Sequence, residues 1–432
     1  MDRGEILRGV RKIVVKVGTA ALSNAEGGLD EAQVARLAEQ IHAVKQRGLQ
    51  AAVVSSGAIG AGMNALGIRR RPSQLPDLQA CAAVGQGRLT AVYDQCFRRH
   101  GYHAAQMLLT RDDFNDRRRY LNASNAIHAI FQHGAVPVIN ENDTISVEEI
   151  TFGDNDGLAA LVANLLGAEM LLLLTTVDGL YENPDAPATQ RRVIALVREV
   201  NDEIRRLAAS TRSRSGKGGM ASKIEAARVA TEAGGIALIA NARQPHLLER
   251  VFAGEELGTL FLPARRGRMT SRKRWLRFGS RPKGTLTVDA GARRALVEGG
   301  KSLLPSGVKR VSGDFARGDL VAVCAALSEA GGLVLRSEEP LLRRVADEQA
   351  LKDAAKGGFP LGQQAGGRPS RQAPQHDEIT AGQGNEFARG LVNYSSEEIR
   401  KIMGQKTSAI RRILGDAPYD EVIHRDHLVL SE

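Results

Sequence analysis

Aromatic side chains are scarce in this chain of 432 residues, at 4% of the total with a single tryptophan. Cysteine is scarcer. The three present, Cys81, Cys96 and Cys324, are scattered and free of C-x-x-C spacing. That excludes a disulfide framework or a zinc site of the usual pattern and points to a reducing, cytoplasmic setting. Long apolar stretches are missing too. A conspicuous run such as Met170 to Leu174 is far short of the ~20 residues that a bilayer span needs, so no membrane partner is expected. The opening Met1-Asp2-Arg3-Gly4-Glu5 has no apolar h-region, so no signal peptide is expected. Familiar catalytic signatures are likewise absent: no G-x-x-x-x-G-K-[ST], no H-E-x-x-H, no G-x-S-x-G. The run Gly57-Ala-Ile-Gly60-Ala-Gly62 reads G-x-x-G-x-G, not the dinucleotide fingerprint.

What is present is ordinary globular material, 43% apolar and 25% charged. The length suits two or three domains. The net charge of +10 is unevenly placed: Arg265 to Arg317 holds 15 Lys or Arg against 3 acidic residues, a balance of +12 that leaves −2 for the rest. Such a stretch fits either a nucleic-acid-binding face or a solvated surface.

The first ~250 residues alternate strand and helix signals. Lys12 to Val17, Ala51 to Val54, Val136 to Ile139, Met170 to Leu174 and Ile236 to Ala240 read as buried strands. Asp30 reads as an N-cap, followed by Val34, Leu37, Ile41 and Val44 at helical spacing and closed by Gly48. Gly157 to Leu166 and Met220 to Ala233 read as further helices. This pattern predicts an α/β fold: an open, mostly parallel sheet sandwiched by helices over residues 1–264. After residue 265 the segments shorten and become glycine-bounded, as in a small β-rich domain, in two parts, 265–337 and 390–432. Between them, 338–389 is rich in glycine, proline and glutamine and reads as a low-complexity, mobile insertion. Ser395 or Ser396 caps a helix after it, and a last strand is expected near His427 to Leu430.

Four polar clusters each follow a strand, where open α/β sheets bind ligands. Lys16 ends the first strand beside Gly18 and Thr19. Ser55-Ser56-Gly57-Ala58 offers hydroxyls and free amides at a helix start, which suit an anion but also an ordinary cap. Asn140-Glu141-Asn142-Asp143 and Gly153-Asp154-Asn155-Asp156-Gly157 concentrate carboxylates and amides that bind ammonium groups or Mg²⁺; such runs also make turns. Ser215 to Lys223 combines consecutive glycines with two lysines, a phosphate cradle or a flexible loop. Together, lysines on separate elements, amide donors and carboxylates fit phosphoryl transfer, which needs positioning and charge neutralisation rather than a covalent nucleophile. Lys16 and Lys223 then stabilise the transferring group, while Asp154 or Asp156 orients the lysines or holds Mg²⁺ through few ligands. The acceptor is not identified by these residues.

The same motifs resemble glutamate 5-kinase, an amino acid kinase family with a C-terminal PUA domain. The resemblance rests on Val15 to Thr19, Ser55 to Ile59, Gln106 to Thr110, Pro137 to Asp143, Gly153 to Asp156 and Gly218-Gly219-Met220 with Lys223. Arg272 to Trp275 and Ser302 to Gly307 resemble the linker and the start of the PUA domain. It implies ATP-dependent phosphorylation of the L-glutamate side chain with Mg²⁺ as the first step of proline biosynthesis, feedback inhibition by L-proline, and a homo-oligomer, tetramer or dimer. It also implies that Lys16 touches phosphates and that Ser56 with Gly57, Asp143 and Asn155 bind glutamate. Thr175, Thr176 and the loop Lys217, Gly218, Gly219, Met220, Ala221, Ser222, Lys223 serve the nucleotide, and Asp154 and Asp156 organise the site. The chain departs from the family at Thr176, where Asp is common and Asp178 stands two residues on; at Lys217, where Thr is common; and in the insertion. Acetylglutamate, carbamate, aspartate and uridylate kinases share the superfamily, so another acceptor stays open. An RNA-binding protein on a kinase-derived scaffold is the reading from a different class. The basic stretch motivates it, and the joint presence of Lys16, Asp154, Asp156 and Lys223 speaks against it.

Overall fold

The computed structural model describes every residue except 1, 25–26, 147–154, 211–218, 265–266, 327–385, 416 and 432. Short apolar runs, largely buried except in the edge strand Ala104–Leu109, form the strands of the first unit. They are β1 (Lys12–Val17), β2 (Gln50–Ser55), β3 (Ala104–Leu109), β4 (Val136–Glu141), β5 (Met170–Thr175), β6 (Leu196–Val197), β7 (Ile236–Asn241) and β8 (Thr259–Phe261). They make one sheet in the order β3-β4-β2-β1-β5-β7-β8-β6. Every neighbouring pair is parallel except β7 and β8.

Each strand feeds two cores, because successive side chains leave opposite faces. Ile13, Val15 and Val17 pack into one layer, with helices α1 (Glu31–Gln46) and α3 (Leu75–Arg98). Val14 packs into the other, with α4 (Arg117–Gln132), α5 (Asn155–Leu166) and α6 (Met220–Glu232). Asp30 caps α1 as expected, accepting from the Gln33 amide at 3.0 Å. A short helix, α2 (Ala58–Ala65), crosses α3 so closely that a Cβ at Gly62 would lie 1.8 Å from the Cys81 carbonyl oxygen. A Cβ at Gly85 would lie equally close to that of Ala58. The sequence pattern left 66–135 almost without elements. The structure fills it with α3, β3 and α4. The outward face of α3 carries Ala80, Ala83, Gly87 and Ala91, small residues that blur the polar–apolar contrast of an amphipathic helix.

The second unit has strands β9 (Gly284–Val288), β10 (Val308–Ser312), β11 (Leu320–Ala325), β12 (Glu386–Leu391) and β13 (Leu428–Leu430), ordered β10-β9-β11-β12-β13. Helices α7 (Ala290–Val297) and α8 (Ser396–Ile402) close its core around Leu286, Val323, Phe387 and Ile399. Ser395 is the cap of α8, in a capping box with Glu398. One sequence boundary is corrected here. β12 starts at Glu386, inside the span 338–389 expected as an insertion. Phe387 and Ala388 are buried in the sheet, and Arg389 turns back to pair with Glu386 at 2.6 Å. The rest of that span, 338–385, lies outside the described residues.

The two units are joined by the segment from Met269 to Gly279. Trp275 is buried and donates to the Phe114 carbonyl at 3.0 Å, and Arg274 donates to that of Asn164 at 2.7 Å. Arg277 pairs with Glu232 on α6 and donates to the Leu430 carbonyl of β13 at 2.7 Å. Several cations of the basic stretch are thus spent internally: Arg268 on Glu169, Arg277 on Glu232, Lys283 on Asp319 and Arg317 on Glu398. Among the described residues, no helix is long and apolar enough to cross a membrane.

Candidate active site

The site is built where the carboxyl ends of β1, β2 and β4 meet the starts of α5 and α6. Strand periodicity puts Lys16 on the Val14 face of β1, the face covered by α5 and α6. Its ammonium meets Asp156 Oδ1 at 2.5 Å. Lys223 in the first turn of α6 reaches the other oxygen, Oδ2, at 2.9 Å, and the Ser222 hydroxyl donates to that oxygen at 2.8 Å. Asp156 is fully buried, with Lys16 3% and Lys223 7% exposed. A buried carboxylate is costly unless paired and hydrogen-bonded. Here one carboxylate holds two ammonium groups, so both cations stand at fixed positions.

A second, uncharged set lies beside it. Asn155 Nδ2, at the start of α5, donates to Ser56 Oγ at 2.8 Å and to Asn140 Oδ1 at 2.9 Å. Ser56 follows β2 directly, and Gly57 behind it has φ 112°, a left-handed turn that glycine makes without strain. Ser55 is completely buried, donates to the Ser56 carbonyl at 3.0 Å and meets the Tyr93 hydroxyl at 2.9 Å. Burial holds the Tyr93 phenol in its neutral form by pushing its pKa far up.

The structure therefore brings together Lys16, Ser56, Asn155, Asp156, Ser222 and Lys223. Asp143 sits half-buried in the turn after β4, near the Ser146–Glu141 hydrogen bond of 2.8 Å. Thr175 and Thr176 lie at the end of β5, where Asp178 accepts from Asn241 Nδ2 at 2.9 Å. Gly219, Met220 and Ala221 form the entry to α6, with Gly219 as its N-cap. Asp154, Lys217 and Gly218 lie outside the described residues. Asn140 stands in one of the polar clusters without a role of its own, and Gln86 is not singled out by the sequence. Asn140 is visible in sequence as a polar side chain that ends a buried strand, whereas Gln86 gives no local signal.

No group of three or more His, Cys, Asp or Glu that could hold a metal occurs among the described residues. Among the described residues, the buried carboxylate of the site is Asp156, and it is committed to two ammonium groups.

Residues 11–240 match the amino acid kinase family, and residues 284–336 with 377–414 match the PUA domain. The second match resumes at 377, also inside the span expected as an insertion. A curated glutamate 5-kinase from Geobacter metallireducens is 42% identical over 99% of this chain and 100% of its own length. Another, from Syntrophus aciditrophicus, is 40% identical over 99% of this chain and 96% of its own. Among solved structures, a UMP kinase from Bacillus anthracis superposes with a TM-score of 0.42 at 14% identity, covering 60% of this chain and 99% of that one. With relatives this similar from end to end, and with a kinase and a PUA match in tandem, the chain belongs to the glutamate 5-kinase family.

Proposed function

We propose that the chain transfers the terminal phosphoryl group of ATP to the side-chain carboxylate of L-glutamate, giving L-glutamyl 5-phosphate and ADP. The observation that carries the reading is the pair Lys16 and Lys223, pinned on the two oxygens of buried Asp156. In the transfer, a carboxylate oxygen of glutamate forms a bond to the terminal phosphorus while the bond from that phosphorus to the ADP oxygen breaks. No proton moves, because the attacking carboxylate is already ionised. The chain therefore needs no general base; it needs cations where charge gathers. Lys16 and Lys223 supply them, and Asp156 prevents their drift apart or away. Mg²⁺ enters with ATP as part of the substrate and neutralises phosphate charge. Ser56 and Asn155, with Asp143, hold glutamate; Thr175, Thr176 and the segment from Lys217 to Lys223 serve the nucleotide, with Asp154 as a further organiser.

On this reading residues 1–264 are the catalytic domain and the PUA-like domain is split in two by the insertion. L-Proline as feedback inhibitor, a homo-oligomer (tetramer or dimer) and a cytoplasmic setting belong to the same proposal and rest on the family resemblance. The test is ADP release with ATP, Mg²⁺ and L-glutamate, with hydroxylamine to trap the acyl phosphate as hydroxamate, with and without L-proline. Hydroxamate that falls with proline supports both parts. Folded protein that forms none with glutamate overturns the acceptor, and salt-dependent RNA binding without ATP turnover would replace the reading altogether.

A further inference from the structure

Asn140, Asn155 and Ser56 form a chain of hydrogen bonds, and the chain does not end at the site. Asn140 follows Val136 and Val138 in strand periodicity, so it faces α3, on the opposite side of the sheet from Asp156 and the lysines. There its Nδ2 donates to Gln86 Oε1 at 2.8 Å. Both residues are buried, with Asn140 2% and Gln86 6% exposed. The direction of each bond is set by main-chain groups that can act in one sense only. The Glu141 amide can only donate, and it donates to Asn140 Oδ1 at 2.9 Å. That fixes the Asn140 oxygen toward Asn155 and its nitrogen toward α3. At the far end, the Thr90 hydroxyl donates to the Gln86 carbonyl at 3.0 Å. Thr90 Oγ1 is thereby left to accept from Gln86 Nε2 at 3.5 Å, and Gln86 Oε1 is turned to Asn140.

We infer that Gln86 is a positioning residue for the acceptor end of the site: together with the Glu141 amide and the Ser55 carbonyl, which accepts from Asn155 Nδ2 at 3.3 Å, it holds the Asn140 and Asn155 amides in the sense that lets the Ser56 hydroxyl donate toward the substrate. Asn155 Nδ2 donates to Ser56 Oγ, so the hydroxyl hydrogen of Ser56 is directed elsewhere, complementary to a carboxylate. Without an acceptor at Gln86, the Asn140 amide loses the partner that holds its nitrogen on the α3 side, and a rotated Asn140 would set an NH₂ group against that of Asn155. Gln86 acts at a distance and touches no reacting atom. The inference rests on the glutamate kinase reading.

The test is Gln86→Met, which keeps length and volume and removes the acceptor, assayed beside the wild type with thermal midpoints for both. The expected result is a KM for glutamate raised about tenfold, at the lower end of what a buried amide left without its acceptor costs. The KM for ATP stays within about twofold. A merely structural role predicts the reverse: a lowered midpoint and a smaller active fraction with both KM values unchanged. Thr90→Val is the milder second variant. It leaves Gln86 in place, frees its amide and raises the same constant about two- to threefold, the effect of one neutral hydrogen bond. In the double variant Gln86→Met with Asn140→Ala, the effects are expected to be non-additive, since both break the same chain. An active wild type whose glutamate KM is unmoved by Gln86→Met and Thr90→Val, or fully additive effects, overturns this inference alone. A folded wild type that forms no glutamyl phosphate overturns the functional reading and this one with it.

Discussion

Replacing Asp156 with asparagine removes one negative charge and almost no volume. In the native site that charge stands 2.5 Å from the Lys16 ammonium and 2.9 Å from that of Lys223, with its own side chain 0% exposed. At these separations and an effective dielectric of about 20, each pair is worth roughly 6 kcal/mol of attraction. The asparagine oxygen still accepts a hydrogen bond, and the lysines regain some water, so the net loss is smaller. Removing one partner of a buried ion pair costs about 3–5 kcal/mol. At about 2–4 °C per kcal/mol for a large domain, the thermal midpoint of Asp156→Asn should fall by roughly 6–20 °C. Turnover should fall further in proportion. The two cations repel once the carboxylate between them is gone, and displacing one preorganised charge lowers kcat by about 10²–10³. Calorimetry and the hydroxamate assay on the same preparation read both numbers. Ser222→Ala is the control: it leaves the charge in place and removes a hydroxyl that stands 2.8 Å from the same oxygen and 2.9 Å from the Gly219 carbonyl, which should cost about 1.5–3 kcal/mol. An Asp156→Asn enzyme with a midpoint within a degree of wild type and a kcat within threefold would refute the claim that this carboxylate holds the lysines in place.

Ser56→Ala should raise the KM for glutamate about tenfold and leave that for ATP unchanged, since it removes a single polar contact at the acceptor end; steady-state kinetics with each substrate varied decides it. Gly62→Ala should cost several kcal/mol, because the added methyl would sit 1.8 Å from the Cys81 carbonyl oxygen. An unchanged urea midpoint in that variant would mean that α2 and α3 part freely. In the second unit, the Arg317 guanidinium, helped by the Ser395 amide, holds the Glu398 carboxyl down at about 2 from an ordinary 4.5. A depressed carboxyl stabilises the fold above the ordinary value, and that contribution is lost as pH falls through about 2. Glu398→Gln should therefore be less stable than wild type at pH 7, with the gap closing between pH 4.5 and 2. A gap that persists undiminished at pH 2 would argue against the linkage.

The strands with charge or amide at their ends were legible in sequence for a physical reason. A buried parallel strand is a dense apolar run, and a Lys16 or an Asn140 interrupting it must emerge at an end of the sheet. Asp156 was legible as one of two aspartates in a turn; its pairing with both lysines was not, since that depends on where α5 and α6 land. Gln86 was illegible because its role depends on which strand lies beneath it. On a helix, one glutamine between Gly85 and Gly87 looks like any tolerated polar residue. The β12 boundary was misplaced because Glu386 and Arg389 give the segment a polar look, while their mutual ion pair lets Phe387 and Ala388 go inside. The basic stretch admits a nucleic-acid-binding reading in part because sequence does not reveal that Arg268, Arg274 and Arg277 are engaged by carboxylates and carbonyls of the chain itself.

The contact of α2 with α3 has a consequence for altering this site. Ser56 leads into α2, and Gln86 stands next to Gly85 on α3, at the point where the two helices touch main chain to main chain. The separation of the two helices at that point is therefore set by the radii of backbone atoms. Repacking the surrounding core can loosen or tighten the protein without changing that separation. The turn from Glu141 to Ser146 differs: its spacing is set by side-chain hydrogen bonds that a substitution can lengthen or remove.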